Sequence, residues 1–249
     1  MKRITVFGLV TFAAAAALLA AESSPKEAVT GAAAKLAQQG SYSWNTTTEF
    51  GNFTSTTKGK TQKDGLVAFT MTFGENTIEA FLKDGKAAVK SGDQDWQSMA
   101  ELATAAASEP GPRQFLVRRL QNFKAPAAEA GDLAGKAKDL KKDGEAYASD
   151  LTEAGAKDLL SFGGRRGANA PEPKNAKGSV KFWVKDGLLA KYELKLQGTV
   201  NFNGEDRDMD RTTTLEIKDV GTTKVDVPGT AQKKLSAPAP EAAKEGSKT

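Results

Sequence analysis

The chain has 249 residues, of which 39% are hydrophobic and 27% charged, and it contains neither cysteine nor histidine. This composition is that of a folded globular protein and excludes a collagen-like or wholly disordered chain. The missing residue types exclude Ser-His-Asp and Cys-His catalysis, histidine-ligated zinc or haem, and thiolate clusters. Catalysis could use only carboxylates, lysine, tyrosine or hydroxyl groups. We therefore expect a binding or structural role, with no catalytic residue, cofactor or metal site.

Residues 1–21 have the order of a secretory signal peptide. Lys2 and Arg3 precede an alanine-rich apolar run, and small residues surround Ala21. The alternative is an N-terminal membrane anchor, although the run is near the lower length limit for crossing ~30 Å of hydrocarbon. We expect cleavage, which leaves a monomer without a membrane span in the periplasm or outside the cell. No cysteine is available near the cleavage site, which excludes acylation as a lipoprotein.

The charge balance argues against nucleic acid as a partner. Removing Lys2 and Arg3 from the 35 basic residues, against 31 acidic ones, lowers the formal net charge from +4 to +2. The sequence also lacks a block of basic residues interleaved with aromatics, the pattern that follows a phosphate backbone.

The mature chain begins with a predicted helix and continues as an antiparallel meander. Ser24, Pro25 and Glu27 are a capping serine, a proline at the first helical position and a capping-box glutamate. From Ser41 the apolar period changes from 3.6 to 2, and the triplet Lys-Asp-Gly repeatedly marks tight turns. The predicted strands are 41–50, 53–62, 66–73, 77–82 and 86–90.

Residues 93–140 form a predicted helical insert. Its clearest helix spans 113–124, with Leu116, Leu120 and Phe123 on one face, and a second helix follows Pro126. A strand near 146–151 and a helix capped at Thr152 complete the middle of the chain.

Strands resume in the last third of the chain. The segment 188–202 places Tyr192, Leu194 and Leu196 on its apolar side and Leu189 on the other, and a return strand and a short strand at 223–227 follow. We expect a single domain over 22–228 and a disordered Ala/Pro/Lys/Glu-rich tail over 229–249.

This order of elements resembles the LolA/LppX-type fold of periplasmic lipoprotein carriers and lipid-binding envelope proteins. The features that carry the resemblance are the first helix, the strands within 42–90, the insert around 113–140 and the chain's ending. That ending runs through 178–194, 212–221 and 225–228 as an Asp-Gly turn, a long strand, a return strand and Val-Asp-Val-Pro. The resemblance implies an α+β fold in which helices cover the concave face of a strongly curved antiparallel sheet, an incomplete β-barrel.

The resemblance further implies a cavity for a lipid or another hydrophobic ligand. The segment 50–63 lacks the arginine of the lipoprotein carriers, which favours a general hydrophobic-ligand binder over lipoprotein sorting. Sequestering an acyl chain is strongly favourable, since each buried CH₂ contributes ~0.8 kcal/mol. The candidate lining and lid residues are Trp44, Phe69, Met71, Phe73, Phe115, Leu116, Leu120, Phe182, Tyr192 and Leu194.

Other interpretations remain open. The same side chains could be ordinary core, in which case the domain would be a structural or regulatory module that binds an envelope protein. A carbohydrate-active enzyme is a distant third possibility, because Glu49, Glu79 and Glu193 lie on solvent-facing strand positions. The alternate carboxylates Asp206, Asp208 and Asp210 are similar to a calcium loop, but the glycine and the bidentate glutamate of such loops are missing, and we expect a solvated hairpin.

Overall fold

A computed structural model describes residues 23–108, 111–161, 172–202 and 204–237. The predicted signal peptide and the chain beyond 237 lie outside these residues. The helices are α1 (Pro25–Ala37), α2 (Met99–Ser108), α3 (Pro112–Gln121), α4 (Pro126–Lys136), α5 (Glu153–Leu160) and α6 (Gly229–Leu235). The strands are β1 (Ser41–Phe50), β2 (Phe53–Gln62), β3 (Val67–Phe73), β4 (Asn76–Lys83), β5 (Lys86–Ser91), β6 (Gln97–Ser98), β7 (Lys141–Asp143), β8 (Ala146–Asp150), β9 (Lys174–Lys185), β10 (Leu188–Phe202) and β11 (Glu205–Lys218).

All eleven strands belong to one antiparallel sheet in the order β6-β5-β4-β3-β2-β1-β11-β10-β9-β8-β7. The early and late strands meet where β1 pairs with β11, and the edge strands β6 and β7 leave the curved sheet open. The expected α+β class with an incomplete antiparallel barrel is therefore confirmed.

Local sequence signals explain several element boundaries. The Ser24 hydroxyl accepts from the Glu27 backbone N–H while the Glu27 carboxylate accepts from the Ser24 backbone N–H, which completes the predicted capping box. At the β4–β5 turn both Asp84 and Gly85 have positive φ, as a type I′ hairpin requires.

One face of the sheet, here called the inner face, packs against helices α1 to α5. Its buried residues and those of the helices form one continuous apolar cluster that spans both halves of the sheet. The helices approach the sheet most closely at its flanks, with α2 beside β5 and β6, and α1 and α5 beside β9 and β10. Within the described ranges, no helix is both long and apolar enough to cross a membrane.

The C-terminal segment differs from the sequence prediction. Residues 223–227 are not a strand, and the predicted disordered tail is wrong for Gly229–Leu235, which forms α6. Helix α6 packs on the outer face of the sheet, where Ala231 joins Phe81 and Ala88 in a second small apolar cluster. The prediction failed because few apolar residues are enough to dock a helix onto an existing sheet.

A β-bulge overturns the assignment of Leu189 to the solvent side. The pairing of β10 with β9 shifts register between Leu189 and Lys191, so that side chains on either side of the shift no longer alternate regularly. Leu189 is fully buried as a result, together with Tyr192 and Leu194.

Candidate functional site

Eight of the ten predicted lining residues lie together in the core, and two do not. Phe73 and Phe115 are 42% and 52% exposed. The eight buried members of the main cluster are Trp44, Phe69, Met71, Leu116, Leu120, Phe182, Tyr192 and Leu194. The structure thus brings the early and late sheet residues to one surface, as predicted.

Much of that surface is occupied by the protein's own side chains. Phe123, from the connection between α3 and α4, stacks on Phe69 with ring centroids 5.4 Å apart and on Trp44 at 6.3 Å. On the other side Phe182 and Tyr192 meet at 6.4 Å beneath the helices. This section of the inner face, here called the filled half, is packed core, and Leu116 and Leu120 dock α3 onto that core.

Strand β2 contributes a close approach that the sequence analysis missed. Gly59 lies opposite both Trp44 and Phe69 in the strand register, and the Trp44 indole lies directly over it. A Cβ atom at Gly59 would come within 2.1 Å of the Trp44 ring, so only glycine fits without displacing the indole. The signal was available, because a glycine inside a strand often marks close packing.

Farther along the same strands the inner face changes character. Thr48 pairs with Ser55 on one side and Thr213 on the other, and all three are half-buried. The Thr48 and Thr213 hydroxyl oxygens are 3.4 Å apart. We call these three residues the hydroxyl strip. Their partial exposure means that water reaches this part of the inner face.

Exposed phenylalanines border the hydroxyl strip at the strand ends. Phe50 and Phe53 face each other across the β1–β2 hairpin, and Phe73 lies opposite Ser55 on β3. Their exposed fractions are 38%, 77% and 42%. These residues, here called the aromatic rim, continue the apolar side of their strands beyond the packed core. Sequence analysis identified Phe73 but not the other two.

Charged groups lie on the inner face beside the strip. Arg211 occupies the inner-face position next to Thr213 and pairs with Phe50 and Leu196, while Glu129 on α4 accepts a 2.6 Å hydrogen bond from the Tyr192 hydroxyl. Burial raises the pKa of Glu129, and the Tyr192 hydrogen bond and the nearby Arg211 and Arg119 charges oppose that rise. Burial and the Glu129 charge likewise raise the pKa of Tyr192 well above its usual value.

Arg119 on α3 lies close enough to Glu129 and Arg211 to affect their pKa values. Its side chain is solvent-exposed, yet desolvation by the surrounding protein lowers its pKa, with Glu129 acting in the opposite direction. For Arg211, burial and the neighbouring Arg119 charge lower the pKa while Glu129 raises it. We call the hydroxyl strip, Arg119, Arg211 and Glu129 the polar patch.

An open groove of about 500 Å³ lies on the opposite, outer face of β8, β9 and β10. Its charged lining is largely paired internally, with Lys195 3.3 Å from Glu193 and Lys138 3.8 Å from Asp150. The groove contains no predicted lining residue.

The carboxylates that resemble a calcium loop form part of a strand ladder. Asp208 accepts a hydrogen bond from Thr199 at 2.9 Å, and Asp206 forms an ion pair with Lys174 at 2.8 Å. Among the described residues, no group of three or more potential metal-binding carboxylates occurs.

Comparisons with known proteins give structural similarity alone. No protein-family model and no curated protein matches the chain. Among solved structures, LprF from Mycobacterium bovis is similar at 10% identity and a TM-score of 0.45, covering 83% of this chain and 97% of its own. A chain of the Pseudomonas aeruginosa MucA/MucB complex is similar at 13% identity and a TM-score of 0.28, covering 88% and 99%. At these values no function is transferred from either protein, and the resemblance to the LolA/LppX-type fold rests on the open, helix-covered antiparallel sheet itself.

Proposed function

We propose that this protein is exported and binds a hydrophobic ligand, a lipid or acyl chain, at the aromatic rim and the adjoining polar patch. The observation that carries the proposal is the change along the inner face from packed aromatic core to half-buried hydroxyls bordered by Phe50, Phe53 and Phe73. Three exposed phenylalanines at one end of a sheet are costly in water unless something covers them. A hydrocarbon chain lying on the rim would remove that exposure.

The proposed binding site includes fewer of the predicted lining residues than the sequence analysis expected. The buried candidates of the filled half belong to packed core, so they would support the site from below. They are Trp44, Phe69, Phe182 and Tyr192. Phe69→Asp would place a carboxylate in packed core and would report on folding more than on binding. A test of binding therefore needs the rim residues.

The test is a fluorescence titration of the purified protein with N-phenyl-1-naphthylamine, an uncharged dye that brightens in apolar surroundings. We expect saturable binding to the wild type and about tenfold weaker binding to the double variant Phe53→Gln/Phe73→Gln, because two apolar contact surfaces are lost. Both phenylalanines are exposed, so the fold should tolerate the change.

Matched controls lie on the same strands. Thr54→Gln and Thr70→Gln change exposed outer-face residues on the same two strands and should leave dye binding unchanged. Absence of saturable binding to the wild type, or equal weakening by the control pair, would overturn the proposal.

A second function is favoured by the packing of Phe123 against Trp44 and Phe69, which fills much of the inner face. In that case the protein would be a non-enzymatic envelope module, and the aromatic rim would bind another protein. Native mass spectrometry of protein isolated from its own source distinguishes the two functions. Co-purifying lipid supports the first, and a ligand-free protein that retains a protein partner supports the second.

A further inference from the structure

The hairpin formed by β10 and β11 extends beyond the neighbouring strand β1. Strand β11 pairs with β10 from Glu205 to Glu216, whereas its pairing with β1 ends at Arg211, opposite Phe50. Among the described residues, no strand pairs with the β1 side of residues 205–210. We call these six residues the free edge. They span about 20 Å, whereas the outermost strands β6 and β7 have only two and three residues.

The free edge has backbone groups with which a further strand could pair. Every second residue of a strand edge directs its N–H and C=O outward, so an added antiparallel strand could form about six hydrogen bonds here. The added strand would continue the line that β1 leaves after Phe50. Every side chain of the free edge except Met209 is exposed, which is expected where no neighbouring strand covers them.

Carboxylates dominate the outer-face side of the free edge. Asp206, Asp208 and Asp210 occupy alternate positions, on the side opposite the buried Met209. Asp206 has a cationic neighbour, Lys174, at 2.8 Å. Asp208 and Asp210 each accept a 2.9 Å hydrogen bond from a neutral side chain of β10. These contacts include one cation for three carboxylates, so this side of the free edge is acidic.

This charge pattern disfavours a second copy of the chain as the partner. In a continuous sheet, directly opposite residues lie on the same face, so antiparallel pairing of two free edges would place aspartates opposite aspartates. Like charges directly opposite each other destabilise a strand pair. A strand with lysine or arginine on its outer-face side would instead form charge-assisted hydrogen bonds with the aspartates.

We propose that the free edge binds an extended segment of another protein in which basic and apolar residues alternate. The basic side chains would lie beside the aspartates, and the apolar side chains would lie on the inner face beside Met209 and next to Phe50. Arg207 and Glu205 form an ion pair at 3.0 Å on that inner-face side, away from the basic side chains. Backbone hydrogen bonds would supply affinity, and the alternation would supply specificity. This inference goes beyond the proposed function and does not require a lipid ligand.

The test measures the fluorescence anisotropy of the labelled peptide Lys-Val-Lys-Val-Lys-Val-Lys at about 0.15 M salt, and we expect saturable binding to the purified protein. Two further peptides carry N-methyl groups either on all lysines or on all valines, and each lacks the N–H donors of one of its edges. We expect one of them to bind at least about tenfold more weakly and the other as before, because only one edge of the peptide faces β11.

Protein variants test the role of the aspartates. The double variant Asp208→Asn/Asp210→Asn should bind the unmodified peptide about fivefold more weakly, because two exposed charge pairs are lost. Both positions are exposed, so the fold should tolerate the change. The matched control is Glu193→Gln/Glu216→Gln, which removes the same charge from the outer face of strands that are paired on both sides. It should change binding by less than about twofold, because salt screens distant charges.

Hydrogen exchange locates the bound peptide. The peptide should protect backbone amides within 205–210 and leave those of β7 unchanged. Absence of saturable binding, equal effects of the two N-methylated peptides, equal weakening by the control variant, or protection at β7 alone would overturn the inference. A dimer of the protein alone that protects amides 205–210 would identify a second copy as the partner and would also overturn it. None of these results would alter the dye titration, which tests the proposed function separately.

Discussion

The two ends of the inner face use the same strands for different purposes. At one end β1 carries the buried residues Tyr42 and Trp44, and Trp44 stacks against Phe123. Six residues after Trp44 the same side of β1 ends in Phe50, and the hydroxyl strip lies between them. The backbone pairing with β2 and β11 is continuous across both ends. The difference is therefore one of side-chain size and polarity on a shared scaffold.

The comparison shows why a fold of this type can be stable without being filled throughout. A domain with no cysteine has no disulfide to support it, so its stability must come from a packed core. The filled half supplies that core, which leaves the other end free to hold polar and exposed apolar groups. Stability and binding are thus expected to respond to substitutions at different ends of the same strands.

The strongest test of this separation removes one phenyl ring at each end. Phe182→Ala deletes a fully buried ring, and we expect it to lower the free energy of unfolding by about 3–5 kcal/mol. Phe53→Ala deletes a ring that is 77% exposed, and its effect should stay within ~0.5 kcal/mol. Urea unfolding followed by tryptophan fluorescence measures both. Comparable losses would show that the rim belongs to the folded core.

The next largest effect is expected at the close approach in the filled half. Gly59→Ala places a methyl group inside the Trp44 ring and should cost about 1–3 kcal/mol, because the indole must leave its position over the strand. The same urea experiment measures the loss, and the shift of the tryptophan emission maximum reports the displaced ring.

Gly31→Ala is the control for the preceding substitution. Gly31 lies within α1 with no atom within 4 Å of an added Cβ, so alanine should stabilise by about 0.5–1 kcal/mol through helix propensity. A neutral Gly59→Ala would mean that Trp44 is loosely held, which would contradict the packed description of the filled half.

The sequence was sufficient to predict the strand meander and the chemical nature of the inner face. Alternation in β1 and β3 assigned Trp44, Phe69 and Met71 to one side, and turn chemistry defined most boundaries, because both signals are local. The bulge that buries Leu189 is not a local property of β10, since it depends on how β9 pairs with that strand. The docking of α6 is likewise a tertiary event.

The approach of Arg211 and Glu129 to each other could not be predicted for a related reason. Alternation along β11 places Arg211 on the same side as Met209 and Thr213, but its position opposite Phe50 follows from the pairing of β11 with β1. Glu129 lies on α4, and its bond to Tyr192 depends on where that helix crosses the sheet. Periodicity assigns each residue to a face of its own element, and it does not show which polar groups of different elements meet.

The Tyr192–Glu129 hydrogen bond joins the two ends, and its removal should have an intermediate effect. Tyr192→Phe keeps the ring and leaves the Glu129 carboxyl without this donor, so we expect a loss of about 1–2 kcal/mol at pH 7. Burial raises the pKa of Glu129 above its unfolded value of 4.5, so ionisation of Glu129 destabilises the fold as the pH rises from 4.5 through the folded pKa.

The loss caused by Tyr192→Phe should consequently shrink as the pH is lowered toward 4.5, where Glu129 becomes protonated and costs less to bury. Urea unfolding of the wild type and the variant between pH 4.5 and pH 8 measures this change. A loss that is constant over the whole range would show that Glu129 does not ionise in the folded protein.

The smallest effect is expected at α6, where an ion pair attaches this helix to α2. Lys234 lies 2.6 Å from Glu101, and this contact and the Ser98 hydrogen bonds lower the pKa of Glu101 to about 2. Both side chains are substantially exposed, so Lys234→Ala should cost less than about 1 kcal/mol at pH 7.

A lowered carboxyl pKa stabilises the fold above pH 4.5, and this contribution disappears as the pH falls toward 2. The difference between Lys234→Ala and wild type should therefore vanish near pH 2, whereas Lys233→Ala, an exposed neighbour, should match wild type throughout. A large loss for Lys234→Ala would mean that the attachment of α6 also stabilises the fold. The free energy of unfolding would then not come from the filled half alone.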